Sequence, residues 1–211
     1  MSSYDVVADG DSCEEHMEEA LGANGFFAGQ VFDVAEAEIV EAAKTDPIAF
    51  GELYERYYVR VYRYIYHRVG HASDAEDVTG LVFMKALEGL PNYRQRGNGF
   101  APWIFRIARN AVIDHYRRRR PQATLDVLLS APDDADPVGD VLGKERRTEL
   151  TALVEGLSAD QRDVVLLRYA ADLSFTEIAA ILQKNEAAVR MLLHRGLKKL
   201  KVVLGDGRAG F

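Results

Sequence analysis

The chain has 211 residues, 48% of them hydrophobic, one cysteine (Cys13) and a formal net charge of −7. This is enough for one large or two small domains with buried cores. It excludes a disulfide framework within the chain and a uniformly basic nucleic-acid binder. No uninterrupted apolar run is long enough to span a membrane, so a soluble, cytoplasmic protein with no membrane insertion is expected.

The net charge hides segregation. Residues 1–34 hold eight acids and no Lys or Arg, whereas residues 35–120 hold fourteen bases against eleven acids. The opening 1–34 segment mixes acids with Gly, Ser and Asn without periodicity and reads as a disordered tail. The alternative is an acidic cover competing with DNA phosphates for a basic face.

Residues 35–45 predict a short helix with Ile39, Val40 and Ala43 on its apolar side. Asp46-Pro47 supplies an N-cap and a first-turn proline for a second helix running to about Val69. Its stripe is Phe50, Leu53, Tyr57, Val61, Tyr64 and Ile65. The tyrosines 54, 57, 58, 62, 64 and 66 could form a base-stacking platform, but helical spacing favours core and boundary positions. Gly70 breaks the helix. Ser73 with Glu76 predicts a capping box for a third helix, about 74–90, with Val78, Leu81, Val82, Met84, Ala86 and Leu87 apolar. His67, His71 and Asp74 lack a further ligand to complete a metal pattern, and no metal or cofactor is expected.

Asn92 to Gly99 is a polar, glycine-containing loop carrying Arg94, Arg96 and Asn98, followed by Phe100 and Trp103. Backbone charge beside aromatic rings is what capture of a single strand needs. The next helix, Trp103 to Arg120, has an apolar stripe of Trp103, Ile104, Ile107, Ala108, Ala111 and Val112. Arg106, Arg109, Asn110 and Arg117 lie elsewhere on the wheel, and four consecutive arginines, Arg117 to Arg120, close it before Pro121.

Residues 121–147, with Pro121, Pro132, Pro137 and Asp133, Asp134, Asp136 and Asp140, read as a linker. As a coil it spans about 30 Å, and stretched about 90 Å. Residues 148–204 are helical again, led by Leu150, Leu153, Val154 and Leu157. Ser158/Gln161 and Ser174/Glu177 are two more capping boxes. Gln183-Lys184 turns, Asn185 caps, and a last helix follows from Glu186. Val189, Leu193, Gly196, Leu197 and Leu200 point inward. Arg190, Met191, His194, Arg195, Lys198 and Lys199 lie largely on the other side. A short helix, a tight turn and a helix with a cationic outer face is a helix-turn-helix pattern. Only residues 205–211 follow, and no further domain is expected. The chain offers no paired carboxylates with a metal-ligand His, no Gly-rich phosphate loop and no nucleophile with a base, so an enzyme is not expected.

Taken together, these runs resemble a bacterial sigma factor of the extracytoplasmic-function class, in the sigma-70 family. The matching runs are AFGELYERYY from Ala49, DAEDVT from Asp74 and WIFRIARNAVIDHYRRRR from Trp103. Further on they are LSADQRDVVLLRY from Leu157, EIAAIL from Glu177 and AAVRMLLHRGLKKL from Ala187. The resemblance implies an all-α chain of two small domains, region 2 over 35–120 and region 4 over 148–204. Region 2 would bind the clamp helices of the polymerase largest subunit through Asp74, Asp77, Val78 and Leu81. It would open the promoter −10 element with Arg94, Arg96, Asn98, Phe100, Trp103, Arg106, Arg109, Asn110 and Arg117, Arg118, Arg119 and Arg120. Region 4 would read the −35 element with Arg190, Met191, His194, Arg195 and Lys198 and touch the polymerase flap. Relatives commonly have an anti-sigma partner. Gly80-Leu81 stands where the family often carries Gln-Glu, and Met191 where relatives often have a small polar residue. An ordinary helix-turn-helix regulator is the alternative; it leaves residues 92–120 without a role.

Overall fold

Asp46 sets the start of the first long helix: its carboxylate accepts the Ile48 amide at 2.8 Å, with Pro47 next in sequence. A computed structural model describes residues 34–94, 97, 99–119 and 156–207. The tail 1–33, the linker 121–147, the lead-in leucines 150 and 153, and Val154 lie outside the described residues. Within them run α1 (Val34–Ala42), α2 (Pro47–Val69), α3 (Ala72–Gly89), a single 3₁₀ turn (Leu90–Asn92), α4 (Ala101–Arg119), α5 (Ala159–Tyr169), α6 (Phe175–Leu182) and α7 (Glu186–Gly207). All regular structure among the described residues is helical.

The first bundle packs α1 to α4 around Leu53, Tyr57, Val61, Tyr64 and Ile65 of α2. Ala75, Val78, Val82 and Ala86 of α3 and Ile104, Phe105, Ala108 and Val112 of α4 close the core. Each large apolar side chain so buried contributes about 1.5–3 kcal/mol relative to exposure. Gly70 ends α2 at φ 83, a left-handed conformation that suits glycine. The tyrosines divide as helical spacing requires: Tyr57, Tyr62 and Tyr64 are buried and Tyr54 is exposed. Along one face of α2 the rings of Tyr54, Tyr58, Tyr62 and Tyr66 follow one another at 5.1, 6.1 and 6.0 Å.

Three expectations are corrected here. Ser73 and Glu76 do not cap α3. The chain is already helical at Ala72, His71 holds the N-cap position without a side-chain bond, and the serine lies inside the first turn. Met84 and Leu87 are not core; they are 61% and 49% exposed, because the inner row of α3 is Ala75, Val78, Val82 and Ala86. Phe105, outside the expected stripe of α4, is fully buried against Tyr64.

The second bundle, α5 to α7, has both expected boxes. Ser158 and Gln161 bond reciprocally, as do Ser174 and Glu177. Asn185 accepts the Ala188 amide at 2.7 Å at the start of α7. Gln183 makes the turn between α6 and α7 at φ 54. Val164 to Leu167, Leu173, Ile178, Val189, Leu193 and Leu200 fill the core. α7 crosses α5 closely at Gly196, where an added Cβ would lie 3.2 Å from Val165 Cγ2.

The bundles touch. α4 packs on α6, and α2 meets α5.

Candidate nucleic-acid interface

The turn from α3 into α4 is braced by an aromatic cluster. Tyr93 lies 5.8 Å from Phe100 and 4.8 Å from Trp103, and Phe100 lies 5.2 Å from both Tyr57 and Trp103. Tyr93 donates its hydroxyl to the Gly99 carbonyl at 3.0 Å. Gly97 and Gly99 take φ values of 58 and 74, which a side chain would oppose. Glu36 of α1 supports this turn from behind, accepting the Tyr57 hydroxyl and the Phe100 amide. Burial, then the Glu36 charge, holds the Tyr57 phenol far above its usual range and pushes Tyr93 up to about 12. Phe100 is only 1% exposed. Its expected stacking on a base is corrected: the ring is core, and it holds the loop in place. Trp103 is half-buried and abuts Gly89, where an added Cβ would meet the indole at 3.2 Å. Arg94 is exposed, while Arg96 and Asn98 lie outside the described residues.

The basic side of α4 divides in two. Asn110, Arg117 and Arg118 are exposed; Arg117 pairs with its neighbour Asp114 at 3.1 Å. Nothing is described of the Arg119 side chain, and Arg120 lies outside the described residues. Arg106, also exposed, and the half-buried Arg109 reach the second bundle. Arg106 donates to the Ala180 carbonyl at 2.9 Å, and Arg109 Nε bonds Asp163 Oδ2 at 2.7 Å. Asp163 is buried, with its side chain 2% exposed, and Arg68 Nη1 lies 3.1 Å from its other oxygen. The Tyr64 hydroxyl donates to that same oxygen at 3.2 Å. Burial alone would lower the pKa of Arg109, but the bond to Asp163 together with the charges of Asp163, Tyr64 and Asp160 raises it. Burial, then the Asp163 charge, raises Tyr64 well above its usual range. Arg60 adds two bonds across the same seam, to the carbonyls of Ala171 at 2.8 Å and Asp172 at 3.0 Å.

Arg60, Arg68 and Asp163 are absent from the residues expected from sequence, and Tyr64 is expected there as core, not as a partner of Asp163. The available signal was Asp163 itself. A carboxylate directly before the buried run Val164–Leu167 needs charged or donating partners.

On the second bundle, Arg190, Met191, His194, Arg195 and Lys198 form one exposed face of α7, as their spacing implies. Arg190 is held at its guanidinium by neighbours on its own bundle. Its guanidinium lies 4.0 Å from the centre of the Phe175 ring, and Glu186 lies 3.6 Å from Nη2. Thr176 donates to Glu186 at 2.6 Å.

The expected docking residues on α3 separate. Asp77 is exposed and Leu81 half-buried; Asp74 lies 3.8 Å from His115 of α4. Val78 is corrected to core, 5% exposed, since it shares the inner row with Ala75 and Val82. The outer row carries Asp77, Gly80, Met84 and Leu87, with open space over Gly80. Among the described residues no helix is long and apolar enough to cross a membrane.

Two family descriptions match the chain: Sigma-70 region 2 over residues 53–122 and Sigma-70, region 4 over residues 147–200. The ECF RNA polymerase sigma factor BldN of Streptomyces coelicolor is 37% identical over 173 residues, covering 80% of this chain and 66% of BldN, just under two thirds of its length. The ECF RNA polymerase sigma factor SigD of Mycobacterium tuberculosis is 34% identical over 183 residues, covering 81% of this chain and 85% of SigD. The structure of CnrH in complex with the cytosolic domain of CnrY shares the fold, with a TM-score of 0.65 at 24% identity over 82% of this chain and 99% of CnrH.

Proposed function

This chain belongs to the extracytoplasmic-function class of sigma-70 RNA polymerase sigma factors, and on that premise we propose how its two bundles divide promoter recognition. Sigma factors are non-catalytic, DNA-binding initiation factors that give RNA polymerase its promoter specificity. In this reading the chain performs no chemistry of its own and works in the cytoplasm. The first bundle is region 2. Its loop, Arg94, Arg96 and Asn98, together with the half-buried Trp103, lies where unpaired −10 bases are held. Arg106, Arg109, Asn110 and Arg117 to Arg120 run along the strand's phosphates. Opening a duplex becomes cheaper when exposed bases are captured, and phosphate contacts fix the register of that capture.

The second bundle is region 4, with α7 in the −35 major groove. Arg190 and Arg195 bring donors for guanine edges or phosphates, Lys198 a phosphate contact, and Met191 an apolar surface. Asp74, Asp77 and Leu81 meet the polymerase clamp helices, and Met84 and Leu87 extend that contact with exposed apolar surface. Region 4 also touches the polymerase flap. An anti-sigma partner belongs to the same reading; CnrH carries a second polypeptide in its structure.

One observation carries this assignment. A single chain holds a region 2 match that takes in the arginines of α4 and a region 4 match that contains the exposed basic face of α7. In vitro transcription with core polymerase, followed by start-site mapping, tests it. The chain should create new start sites sharing upstream elements. Identical transcripts without it would refute the assignment.

A further inference from the structure

We infer that Glu36 of α1 is a positioning residue for −10 strand capture. It holds the peptide that joins the 92–99 loop to α4, and so fixes how the loop is presented, without itself meeting DNA. This rests on the reading above that the loop and α4 hold the unpaired strand.

Three observations carry it. First, the Gly99–Phe100 peptide is held at both ends. Its carbonyl accepts the Tyr93 hydroxyl at 3.0 Å, and its amide donates to Glu36 Oε2 at 3.5 Å. The other Glu36 oxygen accepts the hydroxyl of the buried Tyr57, so the carboxylate ties this peptide to the core of the first bundle. A planar peptide bonded at carbonyl and amide cannot turn without losing one of the two bonds. Second, α4 brings no side-chain cap of its own. The Phe100 carbonyl accepts the Trp103 and Ile104 amides, which places Phe100 just before the first turn, and its ring has no oxygen to offer the amides there. A carboxylate from another helix fits beside that end, where the helix dipole favours an anion. Third, the approach is close. Gly99 has φ 74, and an added Cβ would lie 3.1 Å from Glu36 Oε2. α1 ends before residue 53, where the region 2 match begins, so the carboxylate comes from outside the matched module.

An anion near a nucleic-acid strand can act in two ways that predict different results. A charge that only repels phosphates weakens all sequences alike. A brace behind the loop alters preference for the bases that the loop reads.

The test uses holoenzyme made from the full chain and core polymerase, with 20-nucleotide single strands of random sequence as the probe. The bound fraction is sequenced. Affinity is then measured for the enriched strand and for a scrambled strand of the same composition, and the ratio of the two is the readout. Glu36→Ala, which keeps a good helix former in α1, should lower the ratio about tenfold if the loop is then correctly placed about a tenth of the time. Glu36→Gln, which retains one acceptor oxygen, should lower it by less. Pull-down of core polymerase should be unchanged with both. An unchanged or raised ratio overturns the proposal. So does an equal loss of polymerase binding, which would report a damaged bundle. Should Glu36→Ala fail to fold, Tyr93→Phe decides: it frees only the carbonyl end of the same peptide and should move the ratio in the same direction. The strand reading is scored on the wild type alone. If its holoenzyme enriches nothing over core polymerase, that reading fails and the proposal falls with it.

Discussion

The two basic faces of this sigma factor are built from similar residues and are in different states. On α7, Arg190, Met191, His194, Arg195 and Lys198 point to solvent, and Arg190 is held by partners on its own bundle, Phe175 and Glu186. On α4, Arg106 and Arg109 are bonded to the opposite bundle through Ala180 and Asp163. A guanidinium braced locally keeps its outer donors for a groove, whereas one bonded across a seam must exchange partners first. Equal charge therefore does not mean equal readiness. The face proposed to read duplex is exposed, and the face proposed to hold the strand is in part bonded to the second bundle.

The sharpest way to break this comparison is to unfold one bundle and follow the other. Phe105 is fully buried beside Tyr64, and Phe105→Ala should cost the first bundle about 3–5 kcal/mol. Urea unfolding followed by circular dichroism should then split into two transitions, the second at the wild-type midpoint. A single shifted transition would mean that the seam couples the bundles throughout. The next effect concerns reading. Arg190→Ala should weaken duplex −35 binding by about 1–3 kcal/mol and relax preference at one base position. Neutralising Arg117 should instead lower affinity for all sequences alike and flatten the log-affinity against log-salt slope by about 0.7–0.9. Titrations at several salt concentrations separate the two behaviours.

Smaller effects follow from the caps. Ser174 accepts the Glu177 amide at the start of α6, the helix that packs on α4. Ser174→Ala should cost about 1 kcal/mol, read as a lower denaturation midpoint of the second bundle. At Gly80, in the interior of α3, an added Cβ meets nothing within 4 Å. Gly80→Ala should stabilise the first bundle by about 0.5–1 kcal/mol. Pull-down with core polymerase then shows whether the docking face passes over that residue: lost binding would mean that a partner helix needs the open space over the glycine, and unchanged binding would place the contact on Asp77, Met84 and Leu87.

Local rules made most of the helices legible. The boxes at Ser158 and Ser174, the Asp46-Pro47 start and the Gly70 stop each depend on a few neighbouring residues, and each stands where the sequence puts it. The same rule misled at Ser73, because the S-x-x-E pattern does not say whether the chain is already helical one residue earlier. Spacing separated inner from outer rows on α7 but not on α3, where apolar Met84 and Leu87 occupy the outer row. The seam was invisible for a different reason. Bonds from Arg60 and Arg106 to carbonyls leave no mark on residue type, since every residue has a carbonyl. Phe100 shows the converse case. An aromatic beside a basic loop has the composition of a stacking surface, and only its surroundings reveal that Tyr57, Tyr93 and Trp103 enclose it.

Trp103 is the only tryptophan in the chain. Its indole lies half-covered against Gly89, at the elbow leading into α4, the helix proposed to hold the strand. Emission excited at 295 nm therefore reports on this one elbow, with no background from elsewhere in the chain. Unlabelled protein thus carries an optical gauge at the place where promoter opening would first be felt, readable in a stopped-flow cell as template is added.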